Sequence, residues 1–201
     1  MDVNEFVADK PIYIVLTDTG TWLARLIRLY TKAPLNHASI AFDPGLTEVY
    51  SFGRKRPANP FVGGFVREDF GGELFRDAPC AIYKCVVSEK QYHHIRDSIR
   101  RFEKEAHRYK YNFLGLFGVL FKIQIRRNYA FFCSQFVAFL FEQAGLRLVP
   151  KSPSMTTPSD FSTAESLELV YTGKLRDFIA ARSEGQIEVH PLMVGNMRSS
   201  M

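Results

Sequence analysis

Two residues in this chain have the chemistry to open an acyl bond if the fold brings them together: Cys133 and His37. A thiol attacks a carbonyl only as the thiolate, which needs a local positive field and usually an imidazole to take the proton. Cys133 heads the stretch Tyr129 to Gly145, in which Phe136, Val137, Phe139, Leu140 and Phe141 predict a buried helix and Gly145 its stop. At the first turn of that helix the sulfur would sit at the positive end of the macrodipole. His37 opens a run in which Ala38, Ile40 and Phe42 take one face of a strand while His37, Ser39 and Ala41 take the other. The plainer alternatives are a cysteine serving as a small core hydrophobe and a histidine serving only the strand.

The elements that must position them follow from pattern. Pro11 to Thr17 predicts a buried strand, and Thr21 a cap for a helix whose apolar face is Trp22, Leu23, Leu26, Ile27, Leu29 and Tyr30. Leu35 to Phe52 predicts a hairpin turning at Asp43-Pro44-Gly45. Arg54 to Gly72, rich in glycine and proline, predicts a long loop with a short strand at Phe65-Val66. Pro79 to Val87 predicts a strand. Ser88 and Gln91 predict a capping box for an amphipathic helix to about His107, on which His93, His94 and His107 are expected to face solvent. Tyr109 to Ile125 is apolar and aromatic, fit for a core or for lining an acyl groove. Ser159 predicts the cap of a short helix, and Leu167 to Tyr171 a last strand. A single domain over 1–180 with a loosely held tail over 181–201 is expected.

Composition narrows the function classes. A chain of 201 residues, 46% hydrophobic and 23% charged, can bury a full core, and 18 Phe predict a dense aromatic one. Cys80, Cys85 and Cys133 are odd in number and lack metal-ligand spacing, so neither a disulfide framework nor a metal or other cofactor is expected. The first residues are acidic and lack a basic, apolar leader, which points to a reducing cytoplasm. A net charge of +5 permits transient contact with an anionic membrane surface, while no nucleic-acid motif is visible.

Four pieces together resemble a known family. They are the strand ending near Thr17-Asp18 with Leu26 to Thr31, the histidine strand Asn36 to Ile40, the segment Tyr109 to Phe113, and the cysteine motif Phe132 to Val137. In this order they resemble permuted papain-fold hydrolases of the YiiX-like group, within the NlpC-type and lecithin retinol acyltransferase-like superfamily. The resemblance spans about residues 11 to 178. It implies an α+β, circularly permuted papain-like fold, with a small antiparallel sheet packed against an N-terminal helix, a long amphipathic helix and the helix led by Cys133.

It further implies Cys133 as nucleophile, His37 as general base, and a backbone oxyanion hole where the cysteine helix begins. A third polar residue should orient the imidazole, and the candidates are Glu48 and Tyr50. If Phe42 pairs with Thr47, His37 faces Phe52, with Tyr50 one diagonal step away and Glu48 two. Diagonal neighbours lie about 7–8 Å apart, which favours Tyr50 by reach, while Glu48 suits an imidazolium better by charge. The implied activity is a thiol-dependent hydrolase of an amide or ester, on a small-molecule, peptide or lipid substrate, through an acyl-thioester. The alternatives are phospholipase-type or acyl-transfer chemistry at the same site, or a binding module that keeps the fold without catalysis.

Overall fold

The computed structural model describes residues 9–18, 20, 33–56, 59–120, 123–125 and 127–183. The helix expected from Thr21 to Tyr30 lies outside the described residues, as does the tail expected over 181–201 apart from 181–183, which end a helix.

Strand β1 (Lys10–Thr17) lies at the centre of a sheet, and both of its faces are covered. Ile12, Ile14 and Leu16 enter one core while Tyr13 and Val15 enter the other, which is why the sequence reads as an unbroken apolar run. On one side it pairs with β2 (His37–Ala41), followed outward by β3 (Val49–Arg56) and β4 (Asn59–Glu68). On the other side stand β5 (Pro79–Val87) and β8 (Glu168–Lys174). All five pairings of this six-stranded sheet are antiparallel. The protein is a mixed α+β fold with five helices among the described residues.

Helix α1 (Glu89–Lys104) begins at the predicted capping box, in which the Ser88 side chain accepts the Gln91 N–H and the Gln91 side chain accepts the Ser88 N–H. It buries Ile95, Ile99 and Phe102 against the sheet, and His93, His94 and His107 are exposed as expected. Next come the two-residue strand β6 (Lys110–Tyr111), α2 (Phe113–Leu120), and β7 (Ala130–Phe131), which pairs parallel with β6. Helix α3 (Cys133–Gln143) carries Cys133 as its first residue and ends at Gly145, whose φ of +77° makes the left-handed stop that suits glycine. The short helix α4 (Pro158–Phe161) is capped by Thr157, two residues before the predicted Ser159. Asp160 accounts for the shift, since its carboxylate accepts both the Thr157 N–H and the Thr157 hydroxyl. Helix α5 (Leu175–Ser183) closes the second core with Leu175 and Phe178.

Two sequence expectations give way. Of the long loop expected over 54–72, residues 54–56 belong to β3 and 59–68 form β4, a hairpin paired from Val49–Glu68 to Arg56–Asn59, while 69–72 remain irregular. One of the hairpin's glycines is there for close packing. A Cβ on Gly63 would lie 2.8 Å from the Tyr111 Cβ and 2.9 Å from the Gly53 carbonyl oxygen, so only glycine lets β6 cross there. The β2–β3 register is also one residue away from that expected. Ile40 pairs with Tyr50 and Ala41 with Val49, and the Phe42 N–H donates to the Glu48 carbonyl at 3.2 Å. The turn sets this register. The Asp43 carboxylate accepts the Thr47 and Glu48 amides, while Leu46 takes φ of +55° and buries its side chain in the second core. A one-residue slip moves every side chain to the other face of the sheet.

The phenylalanines concentrate around Phe52. Its ring lies 5.0 Å from Phe136 and 5.1 Å from Phe131, and it also meets Phe65, Phe102 and Tyr109. This cluster joins the β3–β4 hairpin to α1, to α3 and to the β7 segment that delivers Cys133. Phe52→Ala should therefore cost about 3–5 kcal/mol in urea unfolding. Loss of less than about 1 kcal/mol would show that the cluster repacks around the gap.

Candidate active site

Cys133 and His37, nearly a hundred positions apart in sequence, meet where α3 begins against β2. Three anchors hold the start of α3. Ser134 Oγ donates to the Thr156 carbonyl at 2.8 Å. The Gln135 side-chain oxygen accepts the Phe132 N–H at 3.4 Å and the Asn112 amide at 3.5 Å. Asn112 in turn caps α2 through the Gly115 N–H at 2.9 Å. The first turns of α2 and α3, and Tyr111 beside them, are thereby tied into one unit.

Thr17 pairs with His37, and its carbonyl also accepts the N–H of Asn36, the residue just before β2, at 3.0 Å. Asn36, buried beside the cysteine, is held by the Asp18 carboxylate at 2.9 Å.

The carboxylate on the imidazole comes from Glu68, at the end of β4. Its Oε1 lies 2.7 Å from His37 Nε2 and accepts the Ser51 hydroxyl at 2.8 Å, and its Oε2 accepts the Ser39 hydroxyl at 2.5 Å. Strand parity explains the gathering. In the observed register Ser39 and Ser51 share a sheet face, and β4 pairs Glu68 with Val49 on that same face. Glu48 and Tyr50, the residues the sequence offered for this role, fall on the opposite face because of the one-residue shift. Glu48 pairs with Arg96 of α1 and accepts the Tyr50 hydroxyl at 3.0 Å. Tyr50 is stacked on Phe65 in the core. The hint of Glu68 in the sequence was the alternation Phe65-Val66-Arg67-Glu68, hidden by the glycines before it.

Electrostatics favour a thiolate–imidazolium pair. Burial alone would pull the His37 pKa down, but the Glu68 carboxylate and the hydrogen bonds to Cys133 and Glu68 overcome it and raise it to about 10. Glu68 is held below the usual carboxylate range: burial opposes this, while the His37 charge and the His37, Ser39 and Ser51 hydrogen bonds outweigh it. Burial pushes the Cys133 thiol up, yet the His37 hydrogen bond and charge, with the Ala38 and Ser134 N–H groups, bring it below its ordinary value. The other two thiols go the opposite way. Burial is the main cause that lifts Cys80 to about 12 and Cys85 to about 11. Tyr111, part of the apolar, aromatic segment that the sequence fits to a core or to an acyl groove, stands beside the Cys133 sulfur, and its pKa is raised by burial and by that sulfur.

Beside the sulfur lies a small groove, about 20 Å³ in volume and partly open to solvent. Leu35, Leu116, Val119, Phe132 and Pro158 line it, with Thr157 among its polar groups, and Cys133 is the one titratable side chain among its described lining residues. No cluster of three or more histidine, cysteine or acidic residues suited to a metal ion occurs among the described residues. No helix among them is long and apolar enough to cross a membrane. No protein-family model, no curated protein and no solved structure matches the chain.

The ion pair sets the pH response of alkylation. With a depressed Cys133 pKa, iodoacetamide labelling of the native protein should remain fast well below the ordinary thiol value of ~8.5. In His37→Ala the midpoint should rise to that value or above, because burial is then unopposed by the imidazolium. In Glu68→Gln the loss of the carboxylate lowers the His37 pKa, so the pair is maintained over a narrower range and the midpoint again rises. An unchanged midpoint in both variants would remove His37 and Glu68 from the activation of the thiol.

Proposed function

We propose that this chain adopts a circularly permuted papain-like fold and acts as a thiol-dependent hydrolase, with Cys133 as nucleophile, His37 as acid–base and Glu68 as the group that orients the imidazole. The observation that carries this reading is the buried chain Cys133–His37–Glu68, in which Nε2 is committed to the carboxylate and Nδ1 is left for the sulfur. A nucleophile, a base and an orienting group in hydrogen-bonded series is the logic of triad hydrolases on several unrelated folds.

The chemistry follows from the geometry. The Cys133 thiolate attacks the acyl carbon, and the carbonyl electron pair moves to oxygen. That oxyanion forms beside the Tyr111 hydroxyl and the N–H groups at the start of α3, which are fixed in place before the reaction. The His37 imidazolium gives its proton to the departing amine or alcohol as the carbonyl re-forms, leaving a thioester on Cys133. Neutral His37 then takes a proton from water, the hydroxide attacks the thioester, and the thiolate leaves with the imidazolium restored. The groove's apolar walls suit an uncharged acyl group on the sulfur. Acyl transfer to an alcohol or amine acceptor on the same thioester is the second reading. A reducing compartment fits a mechanism that depends on a free thiolate.

The test is acyl-enzyme capture. The native protein, mixed with a p-nitrophenyl ester and separately with an acyl-aminocoumarin, is expected to carry an acyl group on Cys133 by intact mass and peptide mapping. The adduct should be absent in Cys133→Ala. Turnover should fall by about 10²–10⁴ in His37→Ala, and by about 10²–10³ in Tyr111→Phe with little change in KM. A native Cys133 that alkylates readily but forms no acyl adduct with either reagent would overturn the hydrolase reading. A Cys133 that is silent until denaturant is added would point to the binding module instead.

A further inference from the structure

Helix α2 lacks the polar side that a surface helix should have. Its sequence, Phe-Leu-Gly-Leu-Phe-Gly-Val-Leu, is apolar all round, a composition that belongs in an interior. One side is accounted for, since Leu116 and Val119 line the groove beside Cys133. The other is bare. Leu114 is 56% exposed and Ile123, just beyond the helix, is 59% exposed, the highest values among the large hydrophobic residues described. The two are brought together. Leu114 lies one turn before Gly118 on the same side of the helix, and the chain folds back so that the Ile123 N–H donates to the Gly118 carbonyl at 2.8 Å. A Cβ on Gly118 would lie 2.5 Å from the Ile123 carbonyl oxygen, so glycine is what permits that return.

Charge indicates what covers this side. Between Glu105 and Glu142 the sequence contains no Asp or Glu, yet it carries Lys110, Lys122, Arg126 and Arg127, besides Arg108, which pairs with Glu105. Lys110 and Arg127, on either side of the apolar segment, are exposed. Bare leucine and isoleucine flanked by cations without acids is the pattern of an element that rests in the headgroup region of an anionic bilayer. We propose that the outer side of α2, with Leu114 and Ile123 as apolar anchors and Lys110 and Arg127 as headgroup contacts, docks this protein onto an anionic lipid surface. The docked outer side would leave Leu116 and Val119, on the inner side, lining the groove beneath the helix.

Vesicle co-sedimentation tests this without reference to catalysis. The full chain is expected to bind vesicles of phosphatidylcholine mixed with phosphatidylglycerol, to bind pure phosphatidylcholine weakly, and to be released by high salt. Lys110→Ala with Arg127→Ala should weaken binding by about fivefold per cation removed. Leu114→Ser with Ile123→Ser should abolish it. All four positions are exposed, so both double variants should melt as the wild type does. Cys133→Ser should bind vesicles like the wild type, so failure of the hydrolase reading would leave this result intact. Absence of binding to anionic vesicles, or binding that ignores both double variants, would overturn the proposal. Capture of poly-glutamate without vesicle binding would assign the surface to an acidic protein partner instead.

Discussion

A carboxylate buried at the end of β4 is the constraint on which the site depends. Glu68 is shielded from water, and an ionised carboxylate there is tolerated only with its oxygens satisfied and a cation beside it. Two serine hydroxyls meet the first need and the His37 imidazolium meets the second. The imidazolium in turn supports the Cys133 thiolate, so the charges alternate along the chain of contacts. Removing any one leaves its neighbour buried without compensation. Acidity at the sulfur is thus settled by a residue three strands from β1 in the sheet order, and the sheet must be correct before the chemistry can be.

That dependence explains why register and parity matter more here than propensity. Ser39, Ser51 and Glu68 share a face only because Asp43 gathers the amides of Thr47 and Glu48, and Leu46 takes a left-handed turn. The same parity sends Glu48 and Tyr50 to the other face, where they join Arg96 and Phe42. The Arg96 guanidinium lies 4.8 Å from the Phe42 ring and pairs with Glu48, so the two displaced candidates fasten α1 to the hairpin.

Much of this was legible in the sequence. Strand β1, the hairpin, the capping box at Ser88, and a helix beginning at Cys133 and ending at Gly145 all follow from local pattern, because local sterics and burial determine them. Cys133 and His37 stood out by chemistry and end in contact. What the sequence hid was tertiary. Gly63 and Gly64 read as punctuation between elements, whereas Gly63 is small because Tyr111 crosses it at van der Waals contact, and so β4 and Glu68 passed for loop. Tyr111 looked like one more aromatic in an apolar segment. Its hydroxyl acquires meaning only once the parallel β6–β7 pair sets it beside the sulfur.

The position of Glu68 on an edge strand has a consequence for how the molecule fails. Among the described residues strand β4 has a sheet neighbour on one side only, which is β3. Edge strands separate from a sheet at lower free energy than central ones, through local openings that leave the remaining core intact. Peeling of β4 withdraws the carboxylate and strands the imidazole, while β1, β5 and α3 stay folded. Competence of the site is therefore a sub-global property, lost by fraying at the rim while the protein as a whole remains folded.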